Sequence, residues 1–195
     1  GEKVIVIGNE LVSNVAGSGN VVIGSELENT SGNSNVVIGE KMATANGNNN
    51  ILIGKSIQNN PTALSLPSYE MPTLGGNIIM GYDAVGGGAG QVVLGNLAGS
   101  LGAGNVVIGN AAAVGIATGA IAIGNGAGTG AAAGAIALGN LAGTAGSAGA
   151  IAMGNEAGTS DGTNQIAMGN KVVAKGDSTI AIGDSAIANS SGAVA

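Results

Sequence analysis

Twelve times in this chain a short apolar run ends in a glycine, and these glycines recur at nearly constant intervals. They are Gly8, Gly24, Gly39, Gly54, Gly81, Gly95, Gly109, Gly124, Gly139, Gly154, Gly169 and Gly183, separated by 16, 15, 15, 27, 14, 14, 15, 15, 15, 15 and 14 residues. After an opening VIVIG the runs read NVVIG, NILIG, NIIMG and QVVLG as far as Gly109, and AIAIG, AIALG, AIAMG, QIAMG and TIAIG beyond it. A unit this short cannot bury an apolar face alone, so a fixed period means one unit stacked on copies of itself. The chain is expected to build a rod, and rods serve as scaffolds and binding surfaces more readily than as enzymes.

One repeat shows the local reading. Asn105-Val106-Val107-Ile108 is β-branched and favours a strand, and Gly109 and Asn110 suit a turn. A weaker run, Ala111 to Val114, predicts a second short strand, and Gly115 to Gly119 turn the chain back toward Ala120. Each coil of 14–16 residues thus holds two strands and two turns. Successive coils should lie in parallel about 4.8 Å apart, so that twelve make a rod roughly 55–60 Å long. The fold class is all-β: a single-stranded parallel β-roll forming one repeat domain over residues 1–195.

Strand alternation assigns faces. The first and third apolar positions of each motif are large, as in Val21 and Ile23 or Ile121 and Ile123, and are expected to fill the coil. The middle position would then point outward. It is apolar throughout: Val22, Val37, Leu52, Ile79, Val93, Val107, Ala122, Ala137, Ala152, Ala167 and Ala181. An outer apolar stripe asks for a partner, and the economical partner is another copy in closed symmetry, which makes these eleven residues the expected subunit interface. The change to Ala at Ala122 implies an assembly that tightens toward the C-terminus. Two Asn columns flank the strands: Asn20, Asn35, Asn50, Asn77 and Asn105 before them, and Asn96, Asn110, Asn125, Asn140, Asn155 and Asn170 after the glycine. Stacked amides can pair from coil to coil as ladders, and Asn also suits turns.

Composition narrows the functions. Aromatics are 1% of the 195 residues, just Tyr69 and Tyr82, against 39 glycines, which suits many thin layers better than one thick core. Five Lys, no Arg and eleven acidic residues leave a net charge of −6, with no charged side chain between Ala84 and Asn155. Nucleic acid, which needs clustered cations, is not an expected partner. Gly and Asn interrupt every apolar run, and the strands fall short of the roughly 9–11 residues a transmembrane β-strand needs, so no membrane contact is expected. A chain that opens on Gly1 is expected to be a mature or excised piece. Ser191 to Ala195 matches the start of a further motif, so the natural protein is expected to continue.

The step of 27 residues between Gly54 and Gly81 marks an insertion within Lys55–Gly76. It holds all three prolines, Pro61, Pro67 and Pro72, and maps to a surface loop, where binding often resides. Tyr69, Glu70 and Met71 are its candidate ligand contacts. Catalytic chemistry finds little footing. With no His, Cys or Arg, a Ser nucleophile has no imidazole base, and no acid recurs at the repeat period. No catalytic residue, metal site or cofactor is expected. Gly126 to Ala131 fits a loose dinucleotide pattern, but without a βαβ unit around it the match carries no weight.

The motifs resemble the head repeats of trimeric autotransporter adhesins, the YadA-like heads, most closely over Asn170–Ala195. That family's motif is written SVAIG with a 14-residue period; here Val, Leu or Ile replaces the middle Ala in the N-terminal half. The resemblance covers the chain except Lys55–Gly76. It implies a left-handed parallel β-roll, a parallel homotrimer, an extracellular place on the bacterial cell surface, and non-enzymatic adhesion to a host or environmental ligand on a cell surface or matrix. Similar repeats also occur in tail fibres of phages and large viruses, and Gly95–Gly99 and Gly139–Gly143 lean that way. The alternatives are thus a tail-fibre receptor-binding shaft on a virion, or a purely structural stalk spacer. An ice- or crystal-binding rod is set aside because it would need Thr arrayed at the repeat period, and the chain is read as having none.

Overall fold

The computed structural model describes residues 3–9, 15–27, 30–59 and 75–195. They form an all-β parallel β-solenoid with no helix among them. Twelve motif strands, from Ile5–Asn9 to Ile180–Ile182, stack in chain order into one parallel sheet. The short strands between them form a second, return sheet in two runs, of eight strands from Val15–Ala16 to Gly128–Gly130 and of three from Gly158–Ser160 to Ile187–Ala188. Single bridges Gly128↔Gly143 and Gly143↔Gly158 join the two runs. Motif residues pair with their counterparts one repeat on: Val22 with Val37, Val37 with Leu52, Val107 with Ala122.

The motif glycines set the coil spacing. Gly124 has φ +139°, and a Cβ built on it would stand 2.1 Å from the carbonyl oxygen of Gly139. The same clash, at 1.7–2.1 Å with the next glycine's oxygen, recurs at each motif glycine from Gly8 to Gly169. Backbone lies directly on backbone at this corner, which no side chain permits. Two residues further on, the chain turns through the left-handed region with ordinary residues, such as Ala111 (φ 53°), Leu141 (φ 54°) and Glu156 (φ 53°). That conformation is costly for non-glycine residues, and the stack on both sides holds it.

The expected assignment of faces is inverted. The middle positions Val22, Val37, Leu52, Ile79, Val93, Val107, Ala122, Ala137, Ala152, Ala167 and Ala181 are buried inside a single chain, each 0–1% exposed. They fill the coil and do not form an outward stripe. The first and third positions face out. Alternation tells which residues share a face, not which face is inner, and both sets here are apolar. Space decides: a coil this narrow takes one side chain from the centre of the motif strand, one from just before it (Asn20, Asn35, Gln91), one from the corner after it (Leu27, Met42, Ile57) and one from the return strand (Ser100, Val114, Thr129), all buried. The larger pairs have room only outside.

The narrowing toward the C-terminus therefore belongs to the coil interior and not to an assembly. The corner column shrinks first, from Ile57 to Ala84, and the pre-strand and middle columns follow at Ala120 and Ala122; only the middle column stays small to the end, since Gln165 and Val172 restore bulk to the other two. Thr129 and Thr159 in the return strands, Thr144 beside the bridging Gly143, and Ala117, Ala132 and Ser147 in the turns occupy interior space in these coils. These three threonines do recur at the 15-residue step, contrary to the sequence reading, but their burial keeps them from any flat external surface.

The insertion is shorter than Lys55–Gly76. Lys55 ends a motif strand paired with Tyr82, and Gln58–Asn59 is a return strand paired with Val85–Gly86. Gly76 N–H donates to Asn48 O at 2.9 Å, so the stack is regular again there. Residues 60–74 lie outside the described residues. At the other end, Val194 bridges Ile180 in parallel and takes the register of a motif strand.

Two substitutions test this architecture. Gly124→Ala should destabilise by about 2–5 kcal/mol, since its methyl must displace backbone, whereas exposed Thr118→Ala should stay within about 0.5 kcal/mol. Leu52→Ala, in the coil interior, should cost about 2–5 kcal/mol. Urea unfolding followed by circular dichroism measures all three.

Candidate interaction surface

Because motif strands stack in register, their outward side chains form two unbroken columns. The first runs Val21, Val36, Ile51, Ile78, Val92, Val106, Ile121, Ile136, Ile151, Ile166, Ile180; the second runs Ile23, Ile38, Ile53, Met80, Leu94, Ile108, Ile123, Leu138, Met153, Met168, Ile182. None of these residues is polar and none is buried. Neighbours one coil away shade each other, leaving most of them partly buried; the most exposed are Ile51 36%, Met153 37%, Met80 39% and, near the end, Ile182 57%. A continuous apolar face along a whole rod exceeds what isolated soluble chains commonly expose.

A polar column borders this face, made of the residue after each glycine. Toward the N-terminus it is charged. Lys55 Nζ donates to Glu40 Oε1 at 3.0 Å, and in the next column Lys41 lies 3.6 Å from Glu26. The hydrogen bond to Glu40, with the attraction of its carboxylate, holds the Lys55 ammonium above its ordinary value. Any stability from it is therefore full below the ordinary lysine pKa and fades as pH rises through the raised one; exposed pairs of this kind contribute little. Toward the C-terminus the column becomes an amide ladder. Asn110 donates to Asn125 (3.2 Å), Asn125 to Asn140 (3.2 Å), Asn140 to Asn155 (2.8 Å), Asn155 to Asn170 (2.9 Å) and Asn170 to Asp184 Oδ1 (2.8 Å).

The pre-strand Asn column forms a second ladder, inside the coil. Asn20 Oδ1 accepts the Asn35 backbone N–H at 3.0 Å, Asn35 Oδ1 accepts that of Asn50 at 3.0 Å, and Asn105 Oδ1 accepts that of Ala120 at 2.8 Å. Their amide nitrogens donate to carbonyl oxygens of the next coil's turn: Asn20 to Gly32 and Asn35 to Gly47, both at 2.9 Å, and Asn105 to Ala117 at 2.8 Å. The outer ladder begins at Asn110, in the coil where the inner one ends.

Tyr69, Glu70 and Met71, the candidate ligand contacts, lie outside the described residues. The eleven middle-position residues expected at a subunit interface are inside the coil and unavailable to a partner; the columns on either side of them are the available apolar surface. Among the described residues no cluster of three or more His, Cys, Asp or Glu could hold a metal ion, and no helix is long and apolar enough to cross a membrane. No protein-family model matches the chain, and no curated protein matches it.

The two ladders should respond differently to loss of an amide. Asn35→Ala strands a buried backbone N–H of the next coil and should cost about 1–3 kcal/mol. Asn140→Ala exposes its neighbours to water, which replaces the lost bonds, and should cost less than about 1 kcal/mol. Paired chemical-denaturation curves distinguish them.

Proposed function

We propose that this chain is an adhesive head segment of a trimeric surface fibre, displayed outside the cell on a bacterial surface and binding its ligand without catalysis. The observation that carries this reading is the two-column apolar face. It offers twenty-two side chains, close to the roughly 20–30 residues a side of a specific protein interface. Every coil adds the same increment of face, so parallel copies can pair along the full length of the rod. The motif resemblance to YadA-like heads supplies the number three, the left-handed coil and the adhesive role.

The ligand belongs to the host or environmental surface, as a protein or glycan of cell surface or matrix, and the segment around Tyr69, Glu70 and Met71 is the proposed contact. Most other outward positions repeat along the rod and discriminate poorly. A Tyr at a single height, flanked by prolines, offers a large ring with less entropy to lose on binding, and three copies would add avidity. The Gly-Asn-Leu-Ala-Gly runs at Gly95–Gly99 and Gly139–Gly143 favour a second reading, the receptor-binding shaft of a virion tail fibre.

Sedimentation equilibrium should give a mass three times the 18.2 kDa of one chain. Ile108→Asp, on the outer face, should abolish the trimer while leaving a β-rich chain; Val107→Asp, in the interior, should unfold the coil instead. A stable wild-type monomer defeats the assembly. Replacing residues 60–74 by an ordinary turn and measuring attachment of whole fibres tests the contact: unchanged attachment by an intact trimer makes the rod a spacer.

A further inference from the structure

Tyr82 is the one aromatic side chain among the described residues, and it is 50% exposed. It closes the motif strand Ile78–Tyr82 and stands in the polar column that borders the apolar face, in register with Lys55. The corner bonds locate its neighbours. Asp83 N–H donates to Lys55 O and Leu97 N–H to Tyr82 O, and Gly81 lies against Gly95. Tyr82 and Asp83 therefore sit between Lys55 on one coil and Asn96 and Leu97 on the next. Leu97 is 55% exposed, which adds an apolar edge beside the ring. On either side of this patch the polar groups of the same two columns are bonded to one another. Glu26 pairs with Lys41 and Glu40 with Lys55 toward the N-terminus, and the amide ladder starts at Asn110 toward the C-terminus. Between them the Tyr82 hydroxyl, the Asp83 carboxylate and the Asn96 amide have no hydrogen-bond or ion-pair partner among the described residues.

Water satisfies exposed polar groups, so the lack of partners alone selects no ligand. The combination with the ring does. Tyr offers an apolar face with a polar tip, the carboxylate only accepts, and the amide both donates and accepts. A sugar ring is the complement: an apolar C–H face rimmed by hydroxyls that donate and accept. We propose that Tyr82, Asp83 and Asn96 form a binding site for a neutral sugar, with the ring of Tyr82 against its C–H face and Asp83 and Asn96 taking its hydroxyls. Size agrees. Three coils span about 10 Å, which holds one or two sugar rings and falls far short of the roughly 800 Å² per partner of a stable protein interface. Charge selects the class of sugar. Glu40 compensates Lys55, which leaves the Asp83 carboxylate uncompensated, so the site disfavours sialic and uronic acids. The site uses none of residues 60–74 and does not require the trimer.

The chain has two tyrosines, which makes the test selective. Incorporated 3-fluorotyrosine gives two fluorine resonances, and Tyr69→Phe leaves the one from Tyr82. Titration of the full chain with the methyl glycosides of galactose, glucose, mannose and N-acetylglucosamine should shift the Tyr82 resonance saturably for at least one of them. Half-saturation should fall in the millimolar range, as for a one-ring ligand on an open site. A methyl sialoside should leave the resonance in place. Tyr82→Ala and Asn96→Ala should keep the β-rich circular dichroism spectrum, since neither side chain is bonded within the chain, and should weaken binding about tenfold or more, read by saturation-transfer difference. No saturable shift at Tyr82, a shift with the sialoside or an unglycosylated peptide alone, or undiminished binding by Tyr82→Ala would overturn the site. So would a Tyr82 resonance shielded from a soluble paramagnetic agent in the wild-type assembly, because Tyr82 would then be a contact between copies. Each of these outcomes leaves the attachment assay on residues 60–74 to stand or fall on its own.

Discussion

Contact between the backbones of successive motif glycines sets the geometry on which the rest of the rod depends. At that corner the Cα of one coil sits under the carbonyl of the next with no space for a methyl group. The corner fixes the spacing, and the spacing lets two sheets, two amide ladders and four interior columns keep register together. It also explains why side chains elsewhere can vary so widely. A coil needs its glycine and a total interior volume, and Leu with Ile in one coil or Ala with Thr in another can supply the volume. The stack behaves as a one-dimensional array in which each unit answers only to its neighbours.

The interior is not purely apolar, and its polar groups are placed where the coil geometry leaves backbone groups without a sheet partner. Just before each motif strand the chain has left the return sheet and not yet joined the motif sheet. The inner Asn ladder meets that need, bonding a backbone N–H and a turn carbonyl of the next coil with one amide. At Ala120, Ala135 and Ala150 the pre-strand side chain is too small to do so, and at Gln165 a long amide again reaches a turn carbonyl of the next coil, Gly176 O, at 2.9 Å. The turns there close on themselves, with Ala132 N–H donating to Thr129 O and Ser147 N–H to Thr144 O. The Asn-lined coils and the coils of Ala120, Ala135 and Ala150 thus solve the same problem differently, and the loss of pre-strand and middle volume falls in the coil next to the one where the ladder changes.

The period, the strand positions, the pairing register and the existence of two ladders were all legible in the sequence, because each follows from local residue chemistry repeated at a fixed step. The inward face was not, because Ile121, Ala122 and Ile123 are all apolar and alternation carries no sign. A signal was present nonetheless. The middle column loses volume at Ala122, and the corner column already from Ile57 to Ala84; the confined columns are the ones whose sizes change, while the outer pairs stay large. The roles of the glycines were not legible for a related reason. In a chain one-fifth glycine, those required by backbone contact and those required by nothing inside the chain look alike until a Cβ is built on each.

The outer amide ladder runs one way only. From Asn110 to Asn170 every side-chain nitrogen donates toward the C-terminal neighbour, and the series closes on Asp184. Asn both gives and receives a proton bond, so it can relay; an ionised carboxylate only receives, so it cannot. Asp184 therefore works as a full stop in a sentence that reads in a single direction, and a rod of near-identical coils acquires through one oxygen-for-nitrogen exchange a chemical mark of which end is which.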